Sequence, residues 1–277
     1  MIERLKISLA VHKVTVILIA SLVLFIGVGF IALQKFTAPE TILEEINLFF
    51  DPEGPYALTF PRRDGNALIL NLKRTSSYDS ISYELAYNAE GIDRGVVGSI
   101  DTKEKKGEYE QEILFGTCSK NVCKYDQGVE NGTLTLKITK GKKIFRMVTQ
   151  WHLQQPDVAL GQLTSGDSHF FYKVDADRQV LSNVGFSIVN DLTGIPKLPS
   201  GKEILGKVYA LNVPIAKSLP QGMVTFELAE NPPADAKLYR YNGSESKWEE
   251  LDTKIDGSKL TTASNGAGIF AVLIPQK

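Results

Sequence analysis

The sequence predicts an all-β ectodomain, two antiparallel β-sandwich domains, behind one N-terminal transmembrane helix. Three observations predict it. Residues 14–33 (VTVILIASLVLFIGVGFIAL) carry no charge. Beyond residue 50, apolar residues recur at every second position and helical periodicity is nearly absent. Glycine-containing turn pairs punctuate those runs at short intervals.

The apolar run comes first. At about 1.5 Å of rise per residue, a helix of this length is roughly 30 Å long, the thickness of a bilayer's hydrocarbon core. A cleaved signal peptide is the alternative, but such h-regions usually run about 7–15 residues and end at a small-x-small site. Here Phe30, Ile31 and Leu33 crowd the junction, and Pro39 directly follows Ala38 at the best candidate site. The sequence therefore predicts an uncleaved anchor. Arg4, Lys6 and Lys13 precede the run, whereas Glu40, Glu44 and Glu45 follow it. The positive-inside bias then assigns 1–13 to the cytoplasm, 14–33 to the membrane and 34–46 to a linker, with everything later exported.

The strands follow in order. Leu68, Leu70 and Leu72 share a face, as do Ile81, Tyr83, Leu85 and Tyr87, and then Leu134, Leu136 and Ile138. Phe145, Met147, Thr149, Trp151 and Leu153 form the next face, opposite Arg146, Gln150 and His152. Alternation of this kind marks half-buried antiparallel strands. Asp64-Gly65, Asn131-Gly132 and Lys140-Gly141 read as turns between them. These elements make a first domain over 47–153. Pro156 and Gly161 break the pattern, so 154–165 reads as a linker. The second domain, 166–277, holds strands expected over 170–174, 180–189, 207–212, 223–228, 236–241, 247–251 and 268–274. Asn242-Gly243, Asp256-Gly257 and Asn265-Gly266 punctuate the later ones, and 194–201 (GIPKLPSG) is a proline-rich loop.

From 224 to 275 the spacing of Leu238, Tyr241, Asn242-Gly243, Trp248, Leu251, Gly257 and 268–272 (GIFAV) resembles the closing half of bacterial surface β-sandwich modules of the ZU5-like or Ig-like kind. The first domain, with YELAYNAEG and GTCSKNVCKYDQG, resembles membrane-tethered bacterial ectodomains. The resemblance implies a fold and an exported location, and no activity.

Chemistry is scarce. The chain has three histidines and two cysteines in 277 residues and a formal net charge of -1, with no basic stripe of the kind that binds nucleic acid. The sequence predicts no catalytic, cofactor or metal site. Cys118 and Cys123, the only cysteines and close together in an exported loop, predict a disulfide pinning a hairpin, worth about 2 kcal/mol on chain entropy. Redox pairs favour C-x-x-C spacing, and no further Cys or His cluster completes a metal site. Gly166-Asp167-Ser168-His169 matches the opening block of a GDSL esterase superficially. Its surroundings are all-β, and adjacent Ser168 and His169 face apart in an extended chain, so it reads as a turn. Asp175-x-Asp177 and Asp51-x-Glu53-Gly54 lack the remaining positions of a calcium loop and also read as turns. Asn131-Gly132-Thr133 and Asn242-Gly243-Ser244 fit the glycan acceptor pattern but need no glycan as turns.

Tyr239 and Tyr241 share a strand face with Trp248 on the next strand; these rings are the candidate ligand-facing aromatics, with burial in a core as the plainer reading. The function this predicts is a non-enzymatic, single-pass cell-envelope protein that displays its β-sandwich domains for adhesion, ligand binding or scaffolding. Its partners are the membrane, through 14–33, and an envelope protein or glycan, and not nucleic acid. Two rivals stand beside it. An envelope hydrolase would assemble an acidic site in a cleft, and an accessory subunit of an export or pilus assembly would show an unpaired apolar edge strand.

Overall fold

Alternating residues from both halves of the chain build one long sheet. The computed structural model describes residues 44–47 and 54–276, apart from 121 and 244. The sheet runs from β5 (Ile92–Ile100) through β4 (Ser80–Ala89), β9 (Asn131–Lys140), β10 (Lys143–Gln154), β13 (Ser187–Leu192), β14 (Lys202–Asn212), β20 (Gly268–Pro275) and β16 (Lys237–Asn242) to β17 (Lys247–Glu250). Its neighbours pair antiparallel, except that β1 (Glu44–Asn47) runs parallel to the start of β10. Two smaller antiparallel sheets accompany it. One is β2 (Tyr56–Pro61), β3 (Ala67–Lys73) and β6 (Glu108–Leu114). The other is β11 (Gln162–Thr164), β12 (Phe170–Val174), β15 (Gly222–Glu227), β19 (Lys259–Ser264) and β18 (Lys254–Asp256). A separate hairpin joins β7 (Gly116–Ser119) to β8 (Val122–Tyr125), and α1 (Arg178–Val184) is the one helix among the described residues.

The small sheets cover opposite faces of the long one. Successive residues in a strand point to opposite faces. In β13, Ile188 packs with Leu85, Leu136 and Trp151, while its neighbour Val189 packs with Phe170, Tyr209 and Phe226. The first core therefore lies between the long sheet and β2-β3-β6, contributed by Leu68, Leu70 and Leu72 as the alternation predicts. The second lies on the other face, under β11-β12-β15-β19-β18. A third cluster (Leu192, Val208, Ala210, Ile269 and Ala271, with Ile195) shares the first core's face and is closed by Leu58 and the proline-rich loop. Strand β13, the second half of β14 and most of β20 are thus buried on both faces; β20 (GIFAVLIP) is apolar almost without interruption, whereas β13 (SIVNDL) carries Asn190 and Asp191 among its apolar residues.

Most of the first core precedes residues 154–165 and most of the second follows them, but Ile188 joins the first core and Leu163 the second, and pairing crosses the segment: Trp151–Gln154 of β10 face Asn190–Ser187 of β13. The described residues form one compact unit. The apolar run 14–33 and its flanks lie outside the described residues, and no helix among those described is long and apolar enough to cross a membrane.

Three local expectations are corrected. Asn131-Gly132 is not a turn: both residues pair within β9, and Gly132 lies opposite Trp151 and Tyr87. A Cβ at 132 would sit 2.3 Å from the Trp151 ring and 2.4 Å from the Ala86 carbonyl oxygen, so glycine serves packing there. Residues 180–189 are not one strand. Asp177 caps α1 by accepting from the Val180 N–H at 2.8 Å, Leu181 and Val184 bury one helical face, and Gly185 (φ 83°) stops it before β13. Trp248 is only partly buried against the third cluster, whereas Trp151, 2% exposed, lies in the first core against Phe115.

Gly132→Ala is expected to cost about 1–3 kcal/mol through overpacking and Trp151→Ala about 3–5 kcal/mol through the cavity it leaves. Because β10 and β13 share a ladder, each substitution should shift a single thermal transition of the full chain followed by circular dichroism. Two transitions, only one of which moves, would show that the halves unfold separately.

Candidate functional site

A cleft opens where the outer face of β2-β3-β6 meets the ends of β16 and β20. It encloses about 400 Å³. The β2 sequence YALTFP alternates so that Ala57, Thr59 and Pro61 are buried, leaving Tyr56, Leu58 and Phe60 half-buried along the cleft. Register places Asn71 beside Leu58 and Lys73 beside Tyr56, and then Glu108 beside Lys73. An aromatic and apolar column therefore borders a polar one. Tyr241, Ile269, Gly268 and Asn212 form the facing wall.

These side chains are held firmly. The Arg74 guanidinium stands 4.8 Å from the Tyr56 ring centroid and donates to the Ile195 carbonyl. Burial, and then the neighbouring Tyr241 hydroxyl, push the Tyr56 pKa up to about 12, so the phenol remains a neutral donor. Lys73 and Glu108 are ion-paired, and Asn212 Nδ2 donates to the Thr59 carbonyl at 2.9 Å. Asn71 Oδ1 is buried and accepts no hydrogen bond among the described residues.

The predicted aromatics separate. Tyr241 and Trp248 are directly opposite across β16 and β17, with ring centroids 5.4 Å apart. Tyr241 lines the cleft, while Trp248 braces it from behind, its Nε1 donating to the Lys197 carbonyl at 3.0 Å. Tyr239 is 4% exposed, bonds to Glu250 and belongs to the third cluster, the plainer of its two readings. Tyr56, Phe60, Asn71, Lys73 and Glu108 went unassigned in the sequence, although Tyr56, Leu58 and Phe60 carry the period-two signal.

Cys118 and Cys123 form a disulfide, directly opposite one another in the β7–β8 hairpin. Val122 at its tip is exposed.

The Gly-Asp-Ser-His block is a turn between β11 and β12, with Ser168 at φ 58°. His169 Nδ1 lies 2.7 Å from the Asp167 carbonyl oxygen, so this nitrogen is engaged within its own turn. Asp167 instead anchors a charge cluster: its Oδ2 accepts from Lys207 Nζ and Tyr209 OH, each at 2.8 Å, and its Oδ1 from Ser165 Oγ at 2.6 Å. Asp191 lies on the far side of Lys207, 3.8 Å from the ammonium, and accepts from the Gln150 N–H at 2.6 Å and Thr149 Oγ1 at 3.2 Å. Burial opposes ionisation of Asp167, but Lys207 with the Ser165 and Tyr209 hydroxyls outweighs it and pulls the pKa down to about 2. Burial dominates at Asp191 and pushes its carboxyl up. Asp177 caps α1, and Asp51 and Glu53 lie outside the described residues.

No family model matches the chain, and no curated protein is significantly similar to it.

The two carboxylates imply opposite pH limbs. Asp167 titrates below its unfolded value, so its contribution is complete above about pH 4 and is lost as pH falls toward about 2. Asp191 titrates above its unfolded value, so its ionisation costs stability at neutral pH, and that cost is relieved as pH falls through its raised pKa. Thermal melts should therefore show a rise on mild acidification and a fall below about pH 4. Asp191→Asn should flatten the rise. Asp167→Asn should lower the melting temperature at pH 7 and shallow the acid limb, leaving the part due to Asp64 and Asp79, whose carboxyls are also held below their usual range.

Proposed function

We propose that this chain is a non-enzymatic, single-pass cell-envelope protein whose two β-sandwich halves are displayed outside the membrane as a ligand-binding ectodomain. The cleft between β2 and β16 carries the reading: half-buried rings beside a few fixed polar groups, in a volume within the roughly 300–1,000 Å³ of small-molecule sites. The apolar run 14–33 with its basic flank supports the tether, and the disulfide supports an oxidising, exported setting. The likeness of 224–275 to ZU5-like or Ig-like surface modules fits the same picture.

One observation favours a second reading, an accessory subunit of an export or pilus assembly. Strand β5 is the terminal strand of the long sheet, and Val97 on it is 77% exposed. A partner's strand could add to such an edge.

Topology tests the tether. Protease added to intact cells, once any outer barrier is opened, should digest residues beyond about 35 and leave a short protected stub. An ectodomain recovered free, with its N-terminus near residue 38, would replace the anchor with a cleaved signal peptide. Protection of the whole chain would remove the exported reading altogether.

A further inference from the structure

We propose that the cleft between β2 and the ends of β16 and β20 binds an uncharged saccharide, with Tyr56, Phe60 and Tyr241 contacting the sugar's C–H faces and Asn71, Lys73 and Glu108 its hydroxyls. The inference deepens the ligand-binding reading above and rests on it.

The chemistry of the walls selects the ligand. On β2 the inward residues are fully buried, but Tyr56, Leu58 and Phe60 are covered only in part. A ligand lying on that column removes further apolar surface from water. Across β3 and then β6 the lining becomes amide, ammonium and carboxylate, through Asn71, Lys73 and Glu108. A pyranose ring has the matching division, with an apolar face of C–H groups and a rim of hydroxyls that both donate and accept. A hydrocarbon chain would cover Asn71 Oδ1 and the Lys73–Glu108 pair while offering them no hydrogen bond. An anionic ligand would compete with Glu108 for Lys73, because the two already neutralise one another.

The hydrogen-bonding inventory agrees. Asn71 Oδ1 is an acceptor without a donor, a costly condition for a buried group, and an amide that turns toward the cleft can satisfy it with a sugar hydroxyl. The Tyr56 phenol, neutral throughout the physiological range, supplies a donor. Asn212 is already committed to the Thr59 carbonyl and serves to fix the wall. The volume suits a mono- or disaccharide, such as the end of a longer glycan.

The test uses the full chain in lipid nanodiscs, so that no sugar detergent competes. Cellobiose, maltose and N,N′-diacetylchitobiose are titrated by calorimetry, with saturation-transfer NMR as the second readout. At least one should bind saturably with a Kd of about 1 mM or tighter. Tyr241→Ala and Gly243→Trp should each weaken that binding by about tenfold or more, while Val97→Ser on the distant edge leaves it unchanged. A Cβ at Gly243 meets nothing within 4 Å, so the introduced indole can cover the cleft without disturbing the fold. Gly243→Trp therefore carries the test if Tyr241→Ala does not fold. No binding by any of the three disaccharides, or binding that survives Gly243→Trp, overturns the proposal. Either result with the protease topology intact removes the saccharide and leaves the displayed ectodomain standing.

Discussion

Strand β10 divides one of its edges between two partners, and the rest of the fold depends on that division. Its first ten residues pair with β9 along one edge; along the other, its first four residues pair with β1 and its last four with β13. The first pairing stitches the chain into the sheet soon after the apolar run ends. The second joins the two cores through a single ladder. Because the small sheets lie on opposite faces, Ile188 serves one core and its neighbour Val189 the other, so a slip of one position would exchange them and fail both at once. Register at this junction is accordingly specified from both sides.

A polar chain crosses the sheet at the same place, buried at Thr59, Asn190 and Thr149 and reaching solvent at Lys207. Thr59 Oγ1 on β2 donates to Asn190 Oδ1 at 2.8 Å, and Asn190 Nδ2 donates to Thr149 Oγ1 at 3.2 Å. Thr149 bonds to Asp191, whose carboxylate faces Lys207, which in turn bonds to Asp167 in the turn beyond β11. The three layers are thus linked, and the buried members, Thr59, Asn190 and Thr149, are each costly to leave unpaired. The arrangement is better understood as alignment than as stabilisation. Apolar residues of similar volume could bury as favourably, but they would tolerate sliding between layers that directional bonds do not.

How much of this was legible depends on where each residue's constraint comes from. Leu68, Leu70 and Leu72 announce their strand because one face is wet and the other dry. Strand β5 announced nothing, since Asp93, Arg94 and Val97 are exposed and both of its faces meet water along much of its length. The helix α1 looked like a strand because Val180, Leu181 and Val184 are apolar and seven residues are too few for a helical period to separate from alternation. Its cap at Asp177 was the available signal. Gly132 misled for a different reason. An Asn-Gly pair locally favours a turn, whereas the demand on this glycine comes from the Trp151 ring on the adjacent strand. The disulfide was legible because both cysteines lie within one hairpin. Of the cleft, only Tyr241 was named from sequence. Its other wall comes from residues far away in the chain and is brought there by topology.

That topology gives the seam a consequence for function. One wall of the cleft, Tyr56, Leu58 and Phe60, belongs to the small sheet over the first core, and the other, Tyr241 and Ile269, to the long-sheet strands β16 and β20, where both join Leu58 at the third cluster. Their separation is set by whatever fixes β2 against β13 and β14. Two hydrogen bonds do this directly, Thr59 to Asn190 and Asn212 to the Thr59 carbonyl, and both involve the residue between Leu58 and Phe60. The residue that turns inward to lock the layers is therefore flanked by two that turn outward to line the cleft. A strand's alternation makes this unavoidable: locking β2 in register also positions its exposed rings. Preorganisation of that kind reduces what a ligand must spend on ordering its site, so a shallow cleft between two halves can bind without closing around its ligand.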